Sequence, residues 1–241
     1  DKNWLLPLLA PFKSNKVGCV SSKILLYNDT KTIGSVGCFF TFLGITGSIG
    51  RGSPSSKFSD FTKFFSPTGT CCIMEKDYFI KIGMFDSDFF LYCEDYDMGW
   101  RILNDGKFNV LSPKSLIYHN EHSGGLTLES SPGKKLYYYY HSRNRIFTII
   151  KNAPFPMLFG LIILSFFATI VQGLLFIKHG HHVLAQSTYR GLFDALFGKD
   201  SLKWWRKRRG VLKTFHFLNY TLGIRATIKL LTSKKKEHLD S

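Results

Sequence analysis

Between Met157 and Ile177 the chain reads MLFGLIILSFFATIVQGLLFI, 21 residues without a charge. A helix of that length matches the roughly 30 Å hydrocarbon layer of a bilayer. The run must therefore be hidden from water, either by lipid or by a protein core, and its place constrains everything around it. Gln172 is its only strongly polar side chain and basic residues flank it on both sides, which favours lipid. Because both flanks are basic, charge gives no inside–outside asymmetry. A span, a re-entrant hairpin and an in-plane helix are then equally supported.

The charge balance divides the chain. Residues 1–133 hold 13 Lys/Arg and 13 Asp/Glu, whereas residues 134–241 hold 19 and 4, so the net +15 belongs to the second part. A chain of 241 residues can build one sizeable core or a smaller domain with an appendage, and this asymmetry favours the second arrangement, with a boundary near 133 and a basic, aromatic, membrane-associated tail over 134–241. Basic tails suit nucleic acid as well as anionic lipid. Here Trp204-Trp205 beside Arg206 to Arg209, together with the apolar run 157–177, points to an anionic membrane, and no nucleic-acid partner is expected. Cys19, Cys38, Cys71, Cys72 and Cys93 show no Cys-x-x-Cys spacing, so reduced thiols in a cytosolic compartment are expected and zinc is not. Asp1-Lys2-Asn3-Trp4 does not read as a secretory leader.

Along the first part, Asn3 to Phe12 has helical spacing, and Val17 to Val20 and Ile24 to Tyr27 read as two strands around a Ser-Ser-Lys turn. Gly34 to Phe65 mixes Gly, Ser and Pro with aromatics, and 51–57 reads as a solvent loop. Thr68 to Met74 reads as a strand, and Lys76 to Ile82 as a short helix stopped by Gly83. Glu94 to Asn104 reads as a helix with Met98, Ile102 and Leu103 inward. Phe108 to Leu111 and Leu116 to Tyr118 read as strands separated by Pro113. The order is α/β. Beyond Gly133, Lys134 to Lys151 reads as an aromatic, basic helix at a membrane–water boundary, and a His179 to His182 turn precedes an amphipathic stretch around Leu192, Phe193, Leu196 and Phe197. Lys234-Lys235-Lys236 lies in a tail expected to be disordered.

Glu94, Asp95 and Asp97 sit in an otherwise aromatic and apolar run, Phe89 to Arg101. Burying unpaired carboxylates is costly, so such a cluster is kept for chemistry or for a partner. A carboxylate at a helix start is held in place while neighbours adjust its pKa, which suits a general base. The plainer reading makes them first-turn acids favoured by the helix dipole, with Arg101 pairing four residues after Asp97.

The wording Gly83-Met84-Phe85-Asp86, Phe90-Leu91-Tyr92, Glu94-Asp95-Tyr96-Asp97, Arg101 and Gly106, followed by Pro113 and Tyr118-His119, resembles the acceptor-side half of family 2 glycosyltransferases, nearest their rhamnosyl- and galactofuranosyl-transferase branches. The resemblance implies a partial GT-A-like, Rossmann-like catalytic domain over about 1–133, followed by membrane-associated helices. It implies an inverting, metal-dependent enzyme that moves a sugar from a nucleotide-diphosphate sugar to a lipid-linked or polysaccharide acceptor at the cytoplasmic face of a membrane. Asp95 is then the base, Glu94 orients the acceptor or Asp95, Asp97 is structural or acceptor-facing, and Gly69 and Thr70 lie beneath the acceptor. His119 completes the site of a divalent cation, Mg or Mn, or contacts the diphosphate, and His122, Ser123 and Gly124-Gly125 close over the donor. Asp86-Ser87-Asp88 imitates the family's metal-binding Asp-x-Asp but falls in the lead-in to the base motif. The genuine pair and the nucleotide-binding half would precede Asp1. A non-catalytic membrane adaptor that keeps this fold is the alternative, and an upstream strand ending in Asp-x-Asp would decide for the enzyme.

Overall fold

The computed structural model describes residues 2–120 and 132–208 and the backbone of 221–222. The elements are α1 (Leu5–Leu9), β1 (Val17–Leu26), β2 (Ile33–Ser35), β3 (Cys38–Thr41), β4 (Thr46–Ser48), β5 (Lys63–Phe64), β6 (Cys72–Ile73), α2 (Lys76–Lys81), α3 (Glu94–Asn104), β7 (Phe108–His119), α4 (Pro132–Asn152), α5 (Phe155–Lys178), α6 (His182–Phe197), α7 (Ser201–Arg206) and β8 (Thr221–Leu222). The fold is mixed α/β. A five-stranded sheet runs β2-β1-β7-β5, with β6 also on β1, and a three-stranded sheet runs β4-β3-β8. β1 and β7 are parallel, and β2, β5 and β6 pair antiparallel. A parallel pair needs a long crossover, and the intervening chain supplies it with α2 and α3, which places the start of α3 over the sheet.

Two expected breaks are absent because polar side chains find partners inside the sheet. Ser21, Ser22 and Lys23 do not turn; they are buried in the middle of β1. Ser21 Oγ accepts from Thr68 N (3.2 Å), Ser22 Oγ lies 2.8 Å from Ser115 Oγ, and Lys23 Nζ donates to the carbonyls of Ser55 and Lys57 (2.9 and 3.2 Å). Likewise Pro113 does not divide β7. The pairing steps from Ser22–Ser112 to Lys23–Leu116, so the proline sits in a bulge where no ladder donor is required. Ser112 and Ser115 there bond the carbonyls of Pro7 and Trp4 (2.8 and 2.6 Å), docking α1. The stretch from Gly34 to Phe65 forms β2 to β5.

The largest apolar cluster ignores the change in charge at residue 133. Trp100 of α3 packs against Phe40 and Phe65 (ring centroids 4.9 and 5.4 Å), and the same cluster continues through Ile146, Phe147 and Ile150 of α4 to Leu158 and Leu161 of α5 and Leu192 of α6. Trp204 of α7 stacks on Phe147 at 4.0 Å and meets Phe89 edge-on at 5.0 Å. Each fully buried Phe contributes about 1.5–3 kcal/mol, so α4 is part of what holds α3. Its second half was expected at a membrane–water boundary, but Ser142 to Asn152 is almost wholly buried in protein. α5 is long and apolar enough to cross a membrane by length and composition, and 22 % of its apolar window is buried.

Candidate functional site

The approach to α3 is backbone that side-chain-bearing residues rarely adopt. Phe90, Tyr92 and Cys93 all have positive φ (62°, 63° and 68°), a conformation that persists only where surrounding contacts impose it. α4 imposes it here. The Asn144 side-chain amide faces the carbonyls of Phe89, Leu91 and Tyr92 at 2.8, 2.6 and 2.8 Å, and Arg143 donates to the carbonyls of Asp88 and Phe89. The result sets Glu94 and Asp95 at the first turn of α3.

Asp95 accepts from its neighbour's backbone, Tyr96 N at 2.8 Å, and from Gly69 N at 3.3 Å, while Ser66 Oγ donates to its carbonyl at 2.7 Å. Its side chain is enclosed by protein on most sides yet half-buried by accessible surface. Burial, helped by the charge of Glu94, raises its carboxyl to about 7 against the downward pull of the backbone N–H groups of Tyr96, Gly69 and Asp95 itself. Burial also pushes Glu94 up. Glu94 Oε2 is buried and has no hydrogen-bond partner among the described residues, a cost to the fold, while Oε1 is the oxygen that faces Gly69.

Gly69 and Thr70 are exposed directly beside this pair. A β-carbon at Gly69 would stand 3.7 Å from Asp95 Oδ2 and 3.8 Å from Glu94 Oε1, so the missing side chain is what keeps the carboxylates open. Thr68 Oγ1 donates to Thr70 Oγ1 (3.4 Å). The structure thus brings together four of the six expected residues: Asp95, Glu94, Gly69 and Thr70.

Asp97 and His119 lie elsewhere. Asp97 is fully buried, with Arg101 Nε and Lys151 Nζ each 2.9 Å from Oδ2 and Asn152 Nδ2 2.8 Å from Oδ1. It faces the interior, and its role is to tie α3 to α4. His119 ends β7 at the surface, its backbone carbonyl accepting from Tyr27 N at 3.0 Å. Its β1 partner is Leu26, five residues beyond the Ser21 that holds Thr68, about 16 Å along the strand. Among the described residues no three His, Cys, Asp or Glu side chains converge as a cation site, so His119 has no companion ligands there.

Asp86 and Asp88, set aside as a metal pair, carry lysines. Lys151 and Lys207 meet Asp86 at 2.9 and 2.8 Å, Lys203 meets Asp88 at 2.8 Å, and Lys207 also pairs with Asp88. Burial opposes the charge on Asp86, but the hydrogen bonds from Lys207 and Lys151 outweigh it and hold the carboxyl well below the usual range. Sequence reading missed the supporting residues Arg143, Asn144, Lys151 and Asn152. The available signal was polar side chains interrupting the apolar residues Ile146 to Ile150 in the second half of α4. His122, Ser123, Gly124, Gly125, Arg209 and Lys234 to Lys236 lie outside the described residues.

No protein-family model matches the chain. Over 59 residues it is 34% identical to N-acetylglucosaminyl-diphospho-decaprenol L-rhamnosyltransferase of Mycobacterium tuberculosis, from both strain CDC 1551 / Oshkosh and strain ATCC 25618 / H37Rv, a match covering 24% of this chain and 19% of that protein. Among solved structures, the crystal structure of GalNAc-T7 with UDP, GalNAc and Mn2+ superposes with a TM-score of 0.40 at 19% identity, over 57% of this chain and 28% of the other. The chain therefore has weak, partial sequence similarity to a rhamnosyltransferase and spans about a fifth of the length of the curated relatives it matches.

Proposed function

We propose that this chain carries the acceptor side of an inverting glycosyltransferase that works at a membrane surface on a lipid-linked or polysaccharide acceptor. The observation that supports the reading most is the carboxylate pair beside Gly69: Asp95 with a carboxyl raised to about 7, Glu94 with Oε1 at the same opening, and no side chain at Gly69 to cover them. A base with a pKa near neutrality is ionised often enough to act and basic enough to take a proton. Asp95 removes the proton from the attacking acceptor hydroxyl as that oxygen bonds to the anomeric carbon and the nucleoside diphosphate leaves. Glu94 accepts a hydrogen bond from a neighbouring acceptor hydroxyl and keeps the nucleophile in line. A divalent cation, which the resemblance implies, would offset the charge of the departing diphosphate; among the described residues no cluster of ligands fits it, and His119 stands apart from the carboxylate pair.

The test is Asp95→Asn in the enzyme completed with its nucleotide-binding half, assayed with a panel of uridine and thymidine diphosphate sugars and a lipid-linked acceptor. Transfer should be lost while donor binding is kept, because only proton removal is affected. Transfer within about tenfold of wild type would remove Asp95 from the role. Glu94→Gln should raise the acceptor KM more than it lowers kcat.

A further inference from the structure

We propose that α5 seats the protein on one leaflet of an anionic membrane, lying in the plane of the surface rather than crossing it. This rests on the membrane association proposed above and specifies which face meets lipid. The buried side of α5 is Leu158, Leu161, Ser165, Thr169 and Gly173. The opposite side exposes Phe155, Phe159, Ile163, Phe167, Val171 and Leu174, each more than half accessible, with Leu164, Leu175 and Ile177 beside them. Apart from Pro156 and Gly160, every exposed position from 155 to 177 is a large apolar residue. Contiguous apolar surface of this extent marks a partner.

What excludes a span is the company α5 keeps at its midpoint. Gly44, in the β3–β4 turn, approaches so closely that a β-carbon there would lie 2.7 Å from Ser165 Cβ. One turn on, the buried guanidinium of Arg145 donates to Thr169 Oγ1, and Tyr189 Oη donates to the Ile170 carbonyl at 3.2 Å. α4 on one flank also carries Lys134, Lys135, Arg143 and Lys151. Threading α5 through a bilayer would draw this turn, these cations and the sheet behind them into hydrocarbon, at several kcal/mol for each charge. Laid flat, the same helix wets only its apolar face.

The surroundings identify the occupant as lipid with anionic headgroups. Trp205 of α7 lies 6.4 Å from Phe159, and Arg208 lies over Phe155 at 6.0 Å. Exposed Arg206 follows Trp205, and exposed Lys178 closes the other end of α5. Cations at both ends and an aromatic ring at the rim are what a helix held at one depth in a charged interface needs.

Site-directed spin labelling decides it. Single cysteines replace Ile163, Phe167, Val171 or Leu174 in the full chain carrying Cys71→Ser and Cys72→Ser, since Cys19, Cys38 and Cys93 are buried; Tyr27→Cys is the water-exposed control. On phosphatidylcholine vesicles containing phosphatidylglycerol, all four helix labels should report a common depth of about 5–10 Å below the headgroups, with Tyr27 in water. Binding to phosphatidylcholine alone should be weaker and less sensitive to salt. A depth that changes steadily by about 16 Å from 163 to 174 would mean a span and overturn the in-plane seat while leaving membrane association intact. Labels that stay out of lipid, or that couple to labels on a second copy, would overturn the membrane reading itself, and neither result touches the Asp95 assay.

Discussion

Lys151, near the end of α4, places its ammonium 2.9 Å from Oδ2 of Asp97 on α3, and both side chains are essentially inaccessible to water. Arg101 approaches the same oxygen at 2.8 Å, and Lys151 also reaches Asp86 at 2.9 Å. Breaking a buried pair typically costs about 3–5 kcal/mol; without Lys151, Asp97 keeps Arg101 and Asp86 keeps Lys207, but each buried carboxylate loses one of its cations. Lys151→Met should therefore lower the denaturation midpoint sharply. Lys81→Met, which removes an exposed pairing with Asp105, should barely move it. Equal effects in urea titrations would show that the α3–α4 tie is not electrostatic.

The Asp95 carboxyl has a stability signature of opposite sign to ordinary salt-bridged acids. Unfolded, an aspartate loses its proton near pH 4; folded, Asp95 keeps it until about 7. Between those values the folded state binds more protons, so this group's stabilising contribution is full below pH 4 and is lost as pH rises through 7. Asp95→Asn should flatten that slope and leave the protein more resistant to urea at pH 8 than wild type. The proposed base role requires the ionised form, so kcat/KM for sugar transfer should rise with an apparent pKa of about 7.

Gly69 can be filled by degrees. Its hypothetical β-carbon makes only ordinary contacts, so Gly69→Ala should fold normally with a small loss of acceptor affinity. Gly69→Val should cover Asp95 and Glu94 and raise the acceptor KM strongly while donor affinity stays put. A parallel loss of donor binding, measured by calorimetry, would argue that this opening does not face the acceptor.

Asn144 offers an ordered pair of variants. Asn144→Ala removes the amide from the carbonyls of Leu91 and Tyr92, about 1–3 kcal/mol for a buried group, while the Phe89 carbonyl keeps Arg143. Asn144→Asp sets a carboxylate against the same three oxygens and should be worse than alanine in both thermal stability and transfer. If aspartate is the milder change, the amide is not what enforces the turn.

Some local elements of the first part were legible because their signals are short-range, although the strand expected over Thr68 to Met74 shrinks to Cys72–Ile73, with Gly69 and Thr70 in the turn before it. Glu94 to Asn104 is a helix over those same residues, with Met98, Ile102 and Leu103 fully buried as the 3.6-residue spacing requires. The juxtaposition of Gly69 with the carboxylates also followed from their wording. What the sequence hid was long-range compensation. Ser21 to Lys23 look like a turn until Thr68, Ser115 and the carbonyls of Ser55 and Lys57 arrive to satisfy them. Asp97 looks like its acidic neighbours until Lys151 and Asn152 claim it from more than fifty residues away. Asn144 and Lys151, on either side of the apolar residues Ile146 to Ile150, were the one visible sign that α4 serves the site.

The dependence of the 90–93 turn on Asn144 also has a meaning in time. The amide that fixes Tyr92 is encoded 52 residues later, and chains grow at about 5–20 residues per second. For roughly 3–10 s of synthesis, Glu94 and Asp95 exist without the contact that aims them, and the apolar face of α5 is made only after it arrives. A nascent chain thus acquires the contact that aims Glu94 and Asp95 before α5, α6 and α7 exist, and the apolar side of α4 that Leu158, Leu161, Leu192 and Trp204 cover in the folded protein stays open until they follow.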